Sequence, residues 1–315
     1  THNGRLVGVP FDIPIFTMFY RRDVLDDLGL SVPQTMDEYI AVVEAIHAAR
    51  APMLYGSTGQ MRADHYSLNC EWTAWLWAHG GSIFDADGLF VGGDEYGLEG
   101  LRYMLRLKES MPPHVTEWTW DGQIQSVLMG LAGITLTWGE FFPSLDDSSQ
   151  SRVVGLMEAA PPPRAKTLRR PEDCGYGEIP NTGHQGGSVL SLSRYGSNLD
   201  AAWIFLQWAT SADVQTRASL LGGGASPTRA SAFEDQRIKQ AAGVGPGTTR
   251  HFAAVRQTIE EFMGSEPDVP VWPELSNGVI PHELGRLLRG VHRDPSVTMA
   301  NIKMVANNAT RAYRR

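Results

Sequence analysis

The sequence predicts an α/β protein, and three observations carry that expectation. An apolar run from Ile13 to Tyr20, rich in β-branched and aromatic residues, passes straight into a charged helical turn, Arg21-Arg22-Asp23-Val24-Leu25, that ends at Gly29. The next segment, Val32-Pro33-Gln34-Thr35-Met36-Asp37-Glu38, has Pro33 as a break and Thr35 with Glu38 at capping-box spacing for a new helix. Beyond it, strand-like and helix-like stretches alternate, which favours helices packed on a sheet.

The elements follow in chain order. Glu38 to Arg50 carries apolar residues at Tyr39, Val42, Val43, Ile46 and Ala49, near helical period, and Pro52 stops it. Gly56-Ser57-Thr58-Gly59 reads as a loop. Ala63 to His79 reads as a helix closed by Gly80-Gly81. Ile83 to Val91 reads as a hairpin about Asp87-Gly88. Its Asp-x-Asp-Gly does not continue into the later ligand positions of a calcium loop. Asp94 to Ser110 is amphipathic and is broken by Met111-Pro112-Pro113. Gly122 to Gly130 is a short helix, Ile134 to Trp138 a buried strand, and Val153 to Met157 another strand before Pro161-Pro162-Pro163. Arg164 to Gly183 is a long loop, of the kind that tends to be functional or mobile. A strand re-forms over Gly187 to Leu192, and helices over Leu199 to Thr210 and Ala212 to Leu221 are divided by Ser211. Gly222-Gly223-Gly224 permits positive φ. After Pro227 only helical patterns remain, over Ala230 to Ala242, Thr248 to Met263, Gly278 to Gly290 and Ser296 to Arg311.

Composition bounds the function. The chain has 315 residues, enough for one large or two ordinary domains. With 27 Lys and Arg against 35 Asp and Glu, the net charge of −8 argues against nucleic acid or an anionic membrane as the main partner. The densest basic stretch, Arg164 to Arg170, reads as a solvated loop. No run of about 18 apolar residues offers a membrane span. Cys70 and Cys174 fit neither a redox pair nor a zinc site; they read as two buried thiols that can pair if the compartment is oxidising. No cofactor is expected, since no phosphate-binding loop or Gly-x-Gly-x-x-Gly occurs, nor is a metal, since no His-Glu-x-x-His does.

The order of these motifs resembles the extracellular solute-binding proteins of ABC importers, in the large carbohydrate-binding family that includes maltose-binding proteins. The residues that carry the resemblance are Gly8-Val9-Pro10, Tyr20 three positions before Asp23, Gly29, and Val32-Pro33-x-Thr35. It continues in Gly80-Gly81 after a Trp-rich helix, in Gly186-Gly187-Ser188-Val189-Leu190, and in the helix Asp200 to Ala209 followed by Ser211-Ala212-Asp213-Val214-Gln215. The resemblance implies a two-lobed periplasmic-binding-protein fold (type II), each lobe a mixed sheet flanked by helices. It also implies hinge crossings near Gly8 to Asp12, Thr182 to Gly187 and Ser226 to Ser231. On that reading residues 1–12 form the first crossing, 13–183 and 232–315 build the C-terminal lobe, and 184–231 returns to the N-terminal lobe. Members of the family carry roughly 100 residues before the stretch that matches Gly8, so the chain reads as processed or truncated. The function implied is capture of a sugar or polyol between the lobes and delivery to a membrane permease, without catalysis, by a monomer in the periplasm or outside the cell.

A sugar offers a face of C–H groups and an equator of hydroxyls, so its site needs flat aromatic plates rimmed by carboxylates and amides. Nine tryptophans are present; Trp72, Trp75 and Trp77 share one helix, and Trp118 and Trp120 follow. Asn69, Glu71 and Trp72 supply the required types within four positions. Trp138 and Glu140 end a predicted strand, where ligands of open α/β sheets gather. Gly186 and Gly187 let backbone N–H groups approach a ligand closely. By the resemblance, Asp12 faces the cleft, the Gly56 to Gly59 loop lies near it and Trp272 borders it. His184 reads as structural. Two alternatives stay open: a carbohydrate hydrolase, for which Glu71 and Glu140 would be the paired carboxylates, and a sensor that binds the same solute but signals to a receptor.

Overall fold

A computed structural model describes residues 5–221 and 226–313. The stretch Gly222-Gly223-Gly224 lies outside the described residues. Strand β1 (Val9–Asp12) leads to β2 (Phe16–Arg21), which passes directly into α1 (Arg22–Leu28), closed by Gly29 in the left-handed region at φ 64°. Helix α2 (Met36–Arg50) opens with the expected capping box. Glu38 N donates to Thr35 Oγ1 at 3.2 Å and Thr35 N donates to Glu38 Oε2 at 3.1 Å.

Strand β3 (Tyr55–Ser57) stands where a loop was expected. Its backbone pairs in parallel with a later strand, and Gly56 lets it pass against α2, since a Cβ there would fall 2.0 Å from Val43 O. The chain continues through α3 (Tyr66–Ala78), α4 (Glu95–Lys108), α5 (Trp120–Leu128), β4 (Ala132–Trp138), α6 (Phe142–Leu145) and β5 (Met157–Ala160). The strand expected from Val153 starts only at Met157. Val153 is a core residue before a turn in which Leu156 N donates to Val153 O at 2.9 Å.

Strands β3, β4, β2 and β5 form one sheet in that order, parallel between β3 and β4 and antiparallel elsewhere. The register sets Phe16 opposite Trp138 and Tyr20 opposite Ile134. Successive side chains of β2 go to opposite faces: Phe16 and Met18 join the core under α2 and α3, and Phe19 joins a smaller core with Ile124, Val127, Phe142 and Met157. Both faces are covered, which is why β2 reads as a continuous apolar run.

The segment from Arg164 to Gly183 has little regular structure, yet it is strapped to the body. Arg164 N donates to Gln34 O at 2.9 Å, Lys166 N to Ala78 O at 2.8 Å and Gly175 N to Phe84 O at 3.0 Å. Glu178, fully buried, accepts from Trp77 Nε1 at 2.7 Å and Ile83 N at 2.8 Å.

The remaining elements are β6 (Gly183–His184), β7 (Ser188–Leu190), α7 (Leu199–Ala209), α8 (Ala212–Leu220), α9 (Ala230–Phe233), α10 (Gln236–Gln240), α11 (Phe252–Gln257), β8 (Met263–Gly264), α12 (Trp272–Glu274), α13 (Ile280–Leu288) and α14 (Pro295–Tyr313). The expectation of helices alone after Pro227 is corrected here. Strand β8 pairs in parallel with β6, and the helical patterns are interrupted between α9 and α10 and widened into π turns at 258–262 and 275–279. Cys70 and Cys174 are both buried free thiols.

The three stretches expected to be crossings run side by side. Strand β1 pairs antiparallel with β7, with Val9 opposite Leu190 and Asp12 opposite Ser188. Gly186 N donates to Pro14 O at 2.9 Å, and Ile13 N donates to Ser226 O at 3.2 Å. Among the described residues no helix is long and apolar enough to cross a membrane.

Candidate functional site

A cavity of about 320 Å³ opens at the carboxyl end of β4, lined by Pro14, Tyr66, Trp120, Asp121, Trp138, Glu140, Phe141 and Gly186. Because β2 is antiparallel to β4, the start of β2 meets the end of β4, and Pro14 enters the wall. Tyr66 opens α3, Trp120 and Asp121 open α5, and Glu140 and Phe141 follow β4 in a tight turn. Ligands collect at this edge of an α/β sheet because side chains and helix starts converge there.

Trp138 is held on two sides. Its ring packs edge-on against Phe16 with centroids 4.4 Å apart, and its Nε1 donates to Gln60 Oε1 at 3.3 Å. Trp120 meets the His65 ring edge-on at 4.8 Å. Glu140 carries the least satisfied polar group of the wall: its Oε2 is buried with no hydrogen-bond partner among the described residues. Burial pushes its carboxyl up to about 8, and the nearby charge of Asp12 adds to the shift.

The residues expected from the sequence divide into two groups. The cavity brings together Trp138, Glu140 and Gly186. Asp12 stands at the rim, where its Oδ1 accepts from Ser188 N at 3.0 Å, and Gly187 is exposed beside it. Asn69, Glu71, Trp72 and Trp272 lie behind the wall. Trp72 has no exposed surface and stacks near Phe90. Glu71 accepts from Trp75 Nε1 at 2.9 Å and from Gln60 N at 3.3 Å, and burial pushes its carboxyl up to about 7. Glu71 is not among the residues that line the cavity, so the two carboxylates expected of a hydrolase do not both face it. The Gly56 to Gly59 segment is buried beside the sheet. His184, expected to be structural, is fully buried; its Nδ1 lies 2.8 Å from Thr73 Oγ1, and burial pushes the imidazole down to about 3.

One residue that organises the wall gave no signal in the sequence. Glu266 accepts from Tyr66 Oη at 2.9 Å, Asn69 Nδ2 at 2.7 Å and Trp272 Nε1 at 2.7 Å. It thereby explains the positions of two expected site residues: Asn69 and Trp272 hold Glu266, and Glu266 fixes Tyr66 with its ring at the cavity. Trp120, one of the tryptophans expected to offer a flat plate, joins the wall, and Tyr66, Asp121 and Phe141 complete it without a signal in the sequence.

A larger groove of about 710 Å³ lies along α13 and α14. Four of its charged groups pair with one another, His282 with Asp64 at 2.8 Å and Arg286 with Glu283 at 3.3 Å. The smaller cavity therefore presents the stronger demand for a ligand.

Comparison with known proteins agrees with this architecture. The profile of the bacterial extracellular solute-binding protein family matches residues 1–246. A probable amino-acid ABC transporter periplasmic-binding protein of Sinorhizobium fredii is 27% identical over 272 residues, covering 82% of this chain and 55% of its own. The chain thus spans about half the length of this curated relative. Among solved structures, maltose-bound MalE3 of T. maritima aligns at 23% identity with a TM-score of 0.79, over 97% of this chain and 73% of its own. A ribitol-bound ABC transporter solute-binding protein from Agrobacterium radiobacter aligns at 21% identity with a TM-score of 0.80, over 98% and 73%. At these identities the likeness is one of fold, the two-lobed α/β fold of periplasmic binding proteins.

Proposed function

The chain belongs to the bacterial extracellular solute-binding proteins, and from that premise we propose that its cavity captures a sugar or polyol for delivery to the permease of an ABC importer. The observation that carries the reading is the convergence of Trp120 and Trp138 with Asp121 and Glu140 on one cavity. Flat rings match the C–H face of a sugar, and carboxylates accept from its hydroxyls. At about 320 Å³ the cavity is near the lower end of the ~300–1,000 Å³ typical of ligand pockets, a size that suits a single sugar or a polyol.

In this reading residues 13–183 and 232–315 form one lobe and 184–231 belongs to the other. The three adjacent crossings at β1, Thr182 to Gly187 and Ser226 to Ser231 act as the hinge, and closure excludes water from the cavity. Each hydrogen bond then left unmade costs about 1–3 kcal/mol, enough to separate stereoisomers. No bond of the solute is made or broken.

The test is titration of the chain with maltose, glucose, ribitol and mannitol, followed by tryptophan emission and melting temperature. At least one solute should quench the emission and raise the melting point by mass action, and it should be recovered unchanged. The Trp138→Ala variant, melting as a folded protein, should lose the response. If the panel produces no response, the capture of a neutral sugar or polyol is wrong, and if Trp138→Ala responds like the parent, the assignment of this cavity is wrong.

A further inference from the structure

The chemistry of the cavity wall narrows the solute further. Four aromatic residues, Tyr66, Trp120, Trp138 and Phe141, line it together with two carboxylates, Asp121 and Glu140, and none of the lining residues is Lys or Arg. Asp12 adds a third acid at the rim, close enough to disfavour ionisation of Glu140. Burial beside Asp12 keeps Glu140 largely protonated at neutral pH in the free protein, and a neutral sugar would leave it so, whereas a cation set against it would favour the carboxylate form.

We infer that the solute held here carries a positive charge on nitrogen, set between the aromatic walls and the unpartnered Oε2 of Glu140. The ring faces attract a cation through their quadrupoles, most strongly where water is excluded, and this is the arrangement by which proteins recognise ammonium groups. The carboxylate then receives the opposite charge that the wall itself does not provide. The inference rests on the reading of this cavity as the solute site, and it specifies the class: an amino sugar, an aminopolyol or an alkylammonium alcohol. A free α-amino acid fits less well, because its carboxylate would find no cationic partner among the lining residues.

Matched pairs that differ in charge test the inference on the full chain: glucosamine against glucose, glucamine against sorbitol, and choline against 3,3-dimethylbutan-1-ol. Calorimetry should show, for at least one pair, that the cationic member binds about tenfold or more tightly than its neutral partner. Glu140→Gln should remove that preference, lowering the affinity of the cationic member about tenfold or more beyond any loss shown by its neutral partner. A second readout does not need the variant. Choline keeps its charge at every pH, so any affinity it has should rise with pH as Glu140 ionises around 8 in the free protein. Equal or weaker binding of every cationic member, or a preference that survives Glu140→Gln, overturns the inference and leaves the sugar or polyol reading standing. If neither member of any pair binds, both the inference and the reading of the cavity fall.

Discussion

A Cβ placed on Gly186 would lie 2.8 Å from Cζ3 of Trp138, so the ring that walls the cavity rests on a residue without a side chain. The backbone at Gly186 is itself fixed, its N–H donating to Pro14 O at 2.9 Å. It cannot retreat without breaking the contact between the start of β2 and the approach to β7. Gly186→Ala is therefore expected to tilt Trp138, with a stability cost of about 1–3 kcal/mol from overpacking. Solute affinity should fall about tenfold or more in calorimetry. Unchanged affinity and an unchanged melting temperature would show that the ring has room to move.

How far this site can be read from sequence depends on what kind of signal each residue carries. The passage from β2 into α1 and the Thr35–Glu38 capping box are local patterns, and they appear as expected. Trp138 and Glu140 could be expected at the cavity because the carboxyl end of a buried strand is a position with a general meaning, and Gly186 because a missing side chain ahead of a strand lets the backbone come close. Asn69, Glu71 and Trp72 could not be sorted, because every residue of α3 from Ser67 to Ala78 is buried. A helix covered on all sides has no polar face to show which way its side chains point. Glu266 joins Tyr66 across 200 positions, and no periodicity marks such a partner. Strand β8 is two residues long, too short for alternation to declare it.

Glu71 should leave a signature in the pH dependence of folding. Its ordinary value is 4.5 and burial raises it to about 7, so between those values the folded chain keeps a proton that the unfolded chain has lost. Its contribution to stability is complete below pH 4.5 and is lost as pH rises toward 7, at about 1.4 kcal/mol per pH unit. His184 and His251, both pushed down to about 3 by burial, act in the opposite sense as pH falls below 6.5. The parent curve therefore mixes the two, and the comparison with Glu71→Gln isolates one. Urea unfolding across this range should show the variant gaining on the parent as pH rises from 4.5 and levelling off near 7. Parallel curves would mean that Glu71 is ionised in the folded chain throughout.

The ion pair between Asp146 and Arg250 ties α6 to the start of α11. Asp146 Oδ2 accepts from Arg250 Nε at 2.6 Å, the acid side chain is fully buried, and the guanidinium lies 4.7 Å from the Phe142 ring centroid. Arg250 also donates to Met157 O at 2.5 Å and pairs with Glu158 at 2.9 Å, which draws β5 into the same network. Removing one partner leaves a charge with too little water. Asp146→Ala is expected to cost about 3–5 kcal/mol in urea unfolding. The double variant Asp146→Ala/Arg250→Met should recover part of that loss, because it removes the stranded charge as well. Strictly additive losses would mean that the pair is not coupled.

Helix α7 buries Leu206 and Ala209 yet exposes Trp203, Ile204, Phe205 and Trp208, with Ile204 67% and Trp208 58% accessible. A helix apolar on nearly all sides is expected to be covered by protein on nearly all sides. Here a contiguous patch of aromatic and aliphatic side chains meets water instead, the kind of surface that drives association. The chain is expected to self-associate with rising concentration, visible as a mass increase in sedimentation velocity. Replacing Ile204 and Trp208 by serine should return it toward the monomer mass. The change should leave stability within about 0.5 kcal/mol, the usual range for exposed positions that make no special contact. A parent chain that stays monomeric at every concentration, or a doubly substituted chain that associates as before, would show that another surface governs its assembly. Association that disappears with the two serines would identify this helix face as the one that needs a cover, and would separate that need from solute binding at Trp138 and Glu140.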